Sequence, residues 1–120
     1  MARVFFLCVN EKRILVMDIS SIKDVKESVK VIDEAEEIIT RLPLKSVLIL
    51  TDVSDTSYNM FGIEKLKSFS RNITPFVIAS TVVGAVDEKN MVIEMLERIS
   101  GRKITVTASR DEAIKYLSGF

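Results

Sequence analysis

The sequence predicts a single α/β domain with a mixed, mostly parallel sheet that opens on a β-hairpin, in the order β-β-α-β-α-β-α-β-α. Three observations carry this. Short runs of branched and aromatic residues alternate with segments whose apolar residues recur every three or four positions, the pattern of strands joined by crossover helices. Two of the runs, in 45–53 and 76–85, are apolar without in-out alternation, as buried parallel strands are. The first two runs are parted only by the polar "NEK", which suits a hairpin.

Taken in order, "RVFFLCV" (3–9) and "RILVMDI" (13–19) form the hairpin. Ile22, Val25, Val29, Ile32, Ala35, Ile38, Ile39 and Leu42 then mark one long amphipathic helix. Ser21 is its expected cap with Asp24 answering in the first turn, and Pro43 ends it. "KSVLILTDV" (45–53) reads as a central strand. Phe61, Ile63, Leu66, Phe69 and Ile73 mark the second helix, with Asn59 as cap. "FVIASTVVGA" is the next strand, its start blurred by Pro75 and its end set by Gly84. "DEKNMVIEMLERISG" places Asp87 and Glu88 at the positive end of a helix and Gly101 at its close. "KITVTA" and "SRDEAIKYL", the latter with Ser109 and Glu112 at capping-box spacing, complete the chain.

The 120 residues suit one core, since chains of roughly 100–200 residues usually hold a single domain. Residues 48% hydrophobic and 28% charged mark a folded globule and not a disordered chain. Seventeen basic residues balance seventeen acidic ones, so no global field draws in nucleic acid. No stretch is long and apolar enough for an integral membrane segment, and "VFFLCV" lacks the flanks of a signal peptide. The lone Cys8 reads as a small core hydrophobe, which fits a reducing cytoplasm.

The absence of histidine excludes histidine-based triads and metal sites, and one cysteine cannot build a zinc-thiolate site within the chain. The four glycines are isolated, so no phosphate-cradling loop is present. What remains is "TDVSDTSYN", where Asp52, Ser54, Asp55, Thr56, Ser57, Tyr58 and Asn59 lie between a buried strand and a helix start. Open α/β sheets gather binding sites at such carboxyl ends. Two carboxylates there suit magnesium, and the hydroxyls suit a phosphoryl group; the plain alternative is that they cap, turn and solubilise. Met60 and Phe61 follow at once, types that suit a partner or lipid contact when exposed and a core when not. In "VFFLCV", one of the sets Val4, Phe6, Cys8 or Phe5, Leu7, Val9 must be covered, by a helix or by a homodimer contact.

With this element order, the chain resembles the STAS superfamily, the fold of anti-sigma-factor antagonists, and within it the SpoIIAA-like branch grouped with CRAL-TRIO-type lipid-binding domains. "SVLILTDVSDTSYN", "NITPFVIASTVVGA" and "SGRKITVTASRDEAIKYL" carry the resemblance, which spans essentially the whole chain. It implies a non-enzymatic regulatory or binding domain with no known cofactor. Phospho-switch members carry a serine in a DSSG-like motif at the start of the second helix. The segment here reads "SDTSYNMFG", so Ser57 is only the nearest hydroxyl and Asn59 occupies the serine's place.

The leading expectation is a cytoplasmic signalling module that presents residues 54–61 to a protein partner, with phosphorylation as a switch. A second is a carrier of a small apolar ligand or lipid, with Phe61, Phe69 and Phe76, and Met60 beside them, lining a pocket. A third is a magnesium-dependent phosphoacceptor like receiver domains, with Asp52 or Asp55 as acceptor. That class needs an acidic cluster after the first strand, where this chain has "NEKR".

Overall fold

The computed structural model describes residues 2–57, 59–86 and 88–120. Strands β1 (Val4–Val9) and β2 (Lys12–Asp18) pair antiparallel, and Asn10 and Glu11 between them both take positive φ, 49° and 66°. Two left-handed residues make the tight turn whose twist matches that of the flanking strands. β3 (Val47–Asp52), β4 (Val77–Val83) and β5 (Thr105–Thr107) then add in parallel, so spatial order equals chain order, β1-β2-β3-β4-β5.

Strands that always advance in one direction place crossovers of one hand on one face. Accordingly α1 (Val25–Ile39), α2 (Met60–Ile73) and α3 (Glu88–Ser100) share a face of the sheet. Val31, Ile32, Ala35 and Ile39 of α1 pack with Phe69 and Ile73 of α2 on Leu15, Met17, Val47 and Ile49. Ile93 and Leu96 of α3 close on Val82. The last helix, α4 (Arg110–Leu117), returns over the opposite face, where Ala113 and Leu117 seal Ile14, Val16, Leu48, Leu50, Ala79 and Val83. β3 is thus covered on both sides, as its unbroken apolar run requires. Among the described residues no helix is long and apolar enough to cross a membrane.

Three local expectations are corrected. Helix α1 begins at Val25 and not beside Ser21; Asp24 is its cap, its carboxylate accepting from Lys26 N at 2.9 Å. Ser21 has φ 59° and donates its N–H to Ser54 O at 2.7 Å, which draws 19–22 along the end of β3 instead. The helix stops at Ile39, so Leu42 packs on the core from beyond it. The start of β4 is as Pro75 suggests: this proline lies in a 3-10 turn, Thr74–Phe76, and the strand begins at Val77. Cys8 is exposed, because it sits opposite Arg13 on the edge strand, on the face that α1 covers only as far as Val4. On the other face Phe5, Leu7 and Val9 are partly buried against the cluster that α4 seals, so their cover comes from within the chain. Tyr58 and Asp87 lie outside the described residues.

Gly84 ends β4 at φ +82°, and a Cβ there would come within 2.8 Å of the Ser54 Cα. Gly84→Ala is expected to cost ~2–4 kcal/mol from left-handed strain plus overpacking. Gly101, at φ +69° with nothing within 4 Å of an added Cβ, should lose only ~1 kcal/mol on the same change. Equal losses in urea unfolding would contradict the close approach of the two strand ends.

Candidate functional site

β2 and β3 end in the same short pattern, Asp-x-Ser: Asp18-Ile19-Ser20 and Asp52-Val53-Ser54. Asp18 and Asp52 are partners in the parallel register. Each carboxylate accepts from the backbone N–H two residues on, Ser20 N at 2.9 Å and Ser54 N at 3.0 Å, the short-range turn that Asp side chains favour. The loops that follow are stitched together by their backbones. Ile19 N donates to Asp52 O (3.0 Å), Ser57 N to Ile22 O (3.0 Å) and Val53 N to Val83 O (2.9 Å). The Thr56 hydroxyl donates to Ile19 O at 2.6 Å.

Two carboxylates side by side would repel, and Arg110 joins them. Its Nε donates to Asp52 Oδ2 at 2.8 Å and its Nη2 lies 3.0 Å from Asp18 Oδ2. Arg110 is the first residue of α4, whose cap is Ser109, so a single side chain ties the start of that helix to both strand ends. Arg3 adds a looser contact, 3.4 Å from Asp18 Oδ1. Burial alone would raise the Asp52 carboxyl, but the bonds from Ser54 and Arg110 outweigh it and hold the group below its ordinary 3.8. Asp18 is likewise depressed: burial opposes, while its bonds from Ser20 and Arg110 prevail. Arg110 is raised against its own desolvation by the same two acids.

On the α1–α3 face, the expected contact residues are sorted by this framework. Ser54 is half-buried against Gly84, and Thr56 and Ser57 are half-buried. Asp55 is exposed at φ 55°, its carbonyl accepting from Lys23 Nζ at 2.6 Å. Asn59 caps α2, its side chain accepting from Gly62 N at 3.0 Å. Met60 and Phe61 then stand 68% and 64% exposed. The next helix repeats the arrangement, with Val86 just before α3 and Met91 in its first turns, 60% and 71% exposed.

Between the starts of α1, α2 and α3 lies a cavity of about 60 Å³, lined chiefly by Ile19, Val25, Val29, Val53, Ile63 and Val92. Lys89 reaches it and donates to Val53 O at 2.7 Å; burial lowers its pKa from the ordinary lysine value. Ser28 also lines it, and its buried hydroxyl has no partner among the described residues. The three aromatics expected to form a pocket are not gathered round this cavity. Phe61 is on the surface, Phe69 is in the core at 5% exposure, and Phe76 is partly buried against that core.

Asp18, Lys89 and Arg110 are not among the residues that the sequence pattern singles out. The repeated Asp-x-Ser at two strand ends was the available signal for the acids; nothing local marks Arg110, which is 58 residues from Asp52. No protein-family model matches the chain, and no curated protein matches its sequence.

Both carboxyls titrate below their unfolded value of 3.8, so their contribution is complete above that pH and is lost as pH falls through the depressed folded values. Arg110→Met should cost ~2–3 kcal/mol at pH 7, less than a fully buried pair because the arginine side chain is 38% exposed. The gap between variant and parent should shrink as pH falls below 3.8 and through the depressed folded values of the two carboxyls. A gap that stays constant in chemical unfolding from neutral to acid pH would contradict the shared ion pair.

Proposed function

We propose that the chain is a non-enzymatic binding module that presents residues 54–61 to a protein partner. The observation that carries this is the pair Met60 and Phe61, about two-thirds exposed on a helix turn that is capped by Asn59 and follows a loop bonded through its backbone. Large apolar side chains held out by ordered backbone can be covered by a partner at little conformational cost. Asp55 and Asn59 give the patch a polar rim, as protein contact surfaces have. The resemblance to the STAS superfamily points to the same loop and helix, and a regulatory role in the cytoplasm follows from it as part of this proposal.

A phosphate on Ser57 would add charge two residues before the α2 cap, at the positive end of a helix with no acid in its first turn. That makes Ser57 the hydroxyl of choice for a switch. Phosphoacceptor chemistry at Asp52 finds less support, because a divalent cation there would have to displace Arg110 from the carboxylate. Met60→Ser with Phe61→Ser should leave stability within ~0.5 kcal/mol of the parent, as exposed substitutions usually do. The same pair should remove a partner captured by the parent chain, whereas Leu44→Ser, equally exposed at the other end of β3, should not. Capture unaffected by the pair would count against this surface, and capture unaffected by Ser57→Asp would count against the switch.

The aliphatic cavity favours a second reading, a small apolar ligand held among α1, α2 and α3. Its volume of about 60 Å³ is some two water volumes, so only a short or branched chain enters. Native mass spectrometry of protein purified without denaturant should then show an added mass that Val29→Phe removes. A bare mass after exposure to short-chain aliphatics would eliminate this reading.

A further inference from the structure

Arg102 lies far from the contact surface, and its side chain enters the interior with no acid among the described residues to meet it. Gly101 closes α3 at φ +69°, and Arg102 then runs back between the last turns of α2 and the middle of β4. Its Nε donates to Thr74 Oγ1 at 3.2 Å, and its Nη2 to Ser70 Oγ at 3.1 Å and Ser70 O at 3.4 Å. Nη1 donates to Ser80 Oγ. Every acceptor is neutral, and among the described residues no carboxylate lies within ion-pair distance of the guanidinium.

The Thr74 hydroxyl spends its proton on Ser70 O at 2.7 Å. The hydroxyls of Ser70 and Ser80, 4% and 5% exposed, accept from Arg102, and no acceptor for their own protons stands among the described residues. The second hydrogen on Nη1 is equally unanswered. Two buried hydroxyl donors and a partly exposed guanidinium thus converge with neither acceptor nor counter-charge among the described residues, although buried donors are nearly always met. The C-terminal end of α2 at Ser70 O offsets part of the charge. Water would answer the protons, and an anion answers both protons and charge.

Beside the guanidinium is a cavity of about 60 Å³ walled by Leu66, Phe69, Ile73, Val82, Leu96 and Ile104. Inorganic oxyanions would leave that apolar wall empty. We propose that Arg102, Ser70 and Ser80 bind the head of a short aliphatic monocarboxylate whose tail fills this cavity. The guanidinium and the two hydroxyls hold the carboxylate oxygens, and two or three carbons occupy the hydrocarbon wall.

The proposal is tested on the full chain by amide NMR, titrating sodium butyrate against sodium chloride and sodium phosphate at matched ionic strength. Butyrate should give saturable shifts at Ser70, Ser80 and Arg102 and should raise Tm with concentration, while chloride and phosphate do neither. Arg102→Met should abolish the saturable shifts; if that variant does not fold, Ser70→Ala with Ser80→Ala should weaken butyrate by about ten-fold or more. Non-saturating shifts in the folded parent, or saturation by chloride or phosphate as readily as by butyrate, would overturn the assignment. Unchanged butyrate affinity in the serine double variant would overturn it as well.

Discussion

Arg110 stands between two carboxylates that the parallel register has forced side by side. Asp18 and Asp52 are ladder partners at the ends of β2 and β3, where like charges directly opposite would oppose strand pairing. A cation between them turns that repulsion into a three-way attachment. Because the cation begins α4, the same contact seats Ala113 and Leu117 on the second face of the sheet and covers β3 where it would otherwise face water. With the acids neutralised, their other oxygens are left to turn the chain at Ser20 and Ser54.

Those two turns make the strand ends into a platform. Bonds from Ile19 to Asp52, Ser21 to Ser54 and Ser57 to Ile22 join loops that are distant in sequence, and Lys89 and Lys23 fasten Val53 and Asp55 by their carbonyls. Across the helix layer, Lys65 of α2 pairs with Asp33 of α1. The first turn of α2 therefore starts from a loop tied to its neighbours on both sides, and Met60 and Phe61 are held in place. Met60 and Phe61 stand outside at the end of the sheet where open α/β folds bind, while the aliphatic cavity lies just inside that rim.

The fold was legible because hydrophobic periodicity changes at every junction. The caps Asn59 and Ser109 were legible too, since a short acceptor beside free helix amides needs only local sequence; Ser109 Oγ accepts from Glu112 N at 3.2 Å. The Glu112 carboxylate answers Ala108 N at 3.1 Å, one residue earlier than a capping box has it. Capping at α1 was misread because "SSIKD" holds two suitable residue types, and the choice falls to a tertiary bond from Ser21 to Ser54. Whether Cys8 is buried depends on how far α1 overhangs an edge strand, which its apolar neighbours do not reveal. Arg110 and Arg102 were hidden for one reason: their partners come from other strands and helices, and only the folded topology brings them together.

The proposed binding surface lies at the carboxyl end of the sheet. Leu44 and Phe61 bracket β3 at its two ends and are exposed to a similar degree, 67% and 64%. A photo-reactive phenylalanine analogue placed at either position in living cells measures which end meets a partner. Position 61 should give one defined protein cross-link and position 44 none. Cross-links from 44 alone, or equally from both, would contradict it.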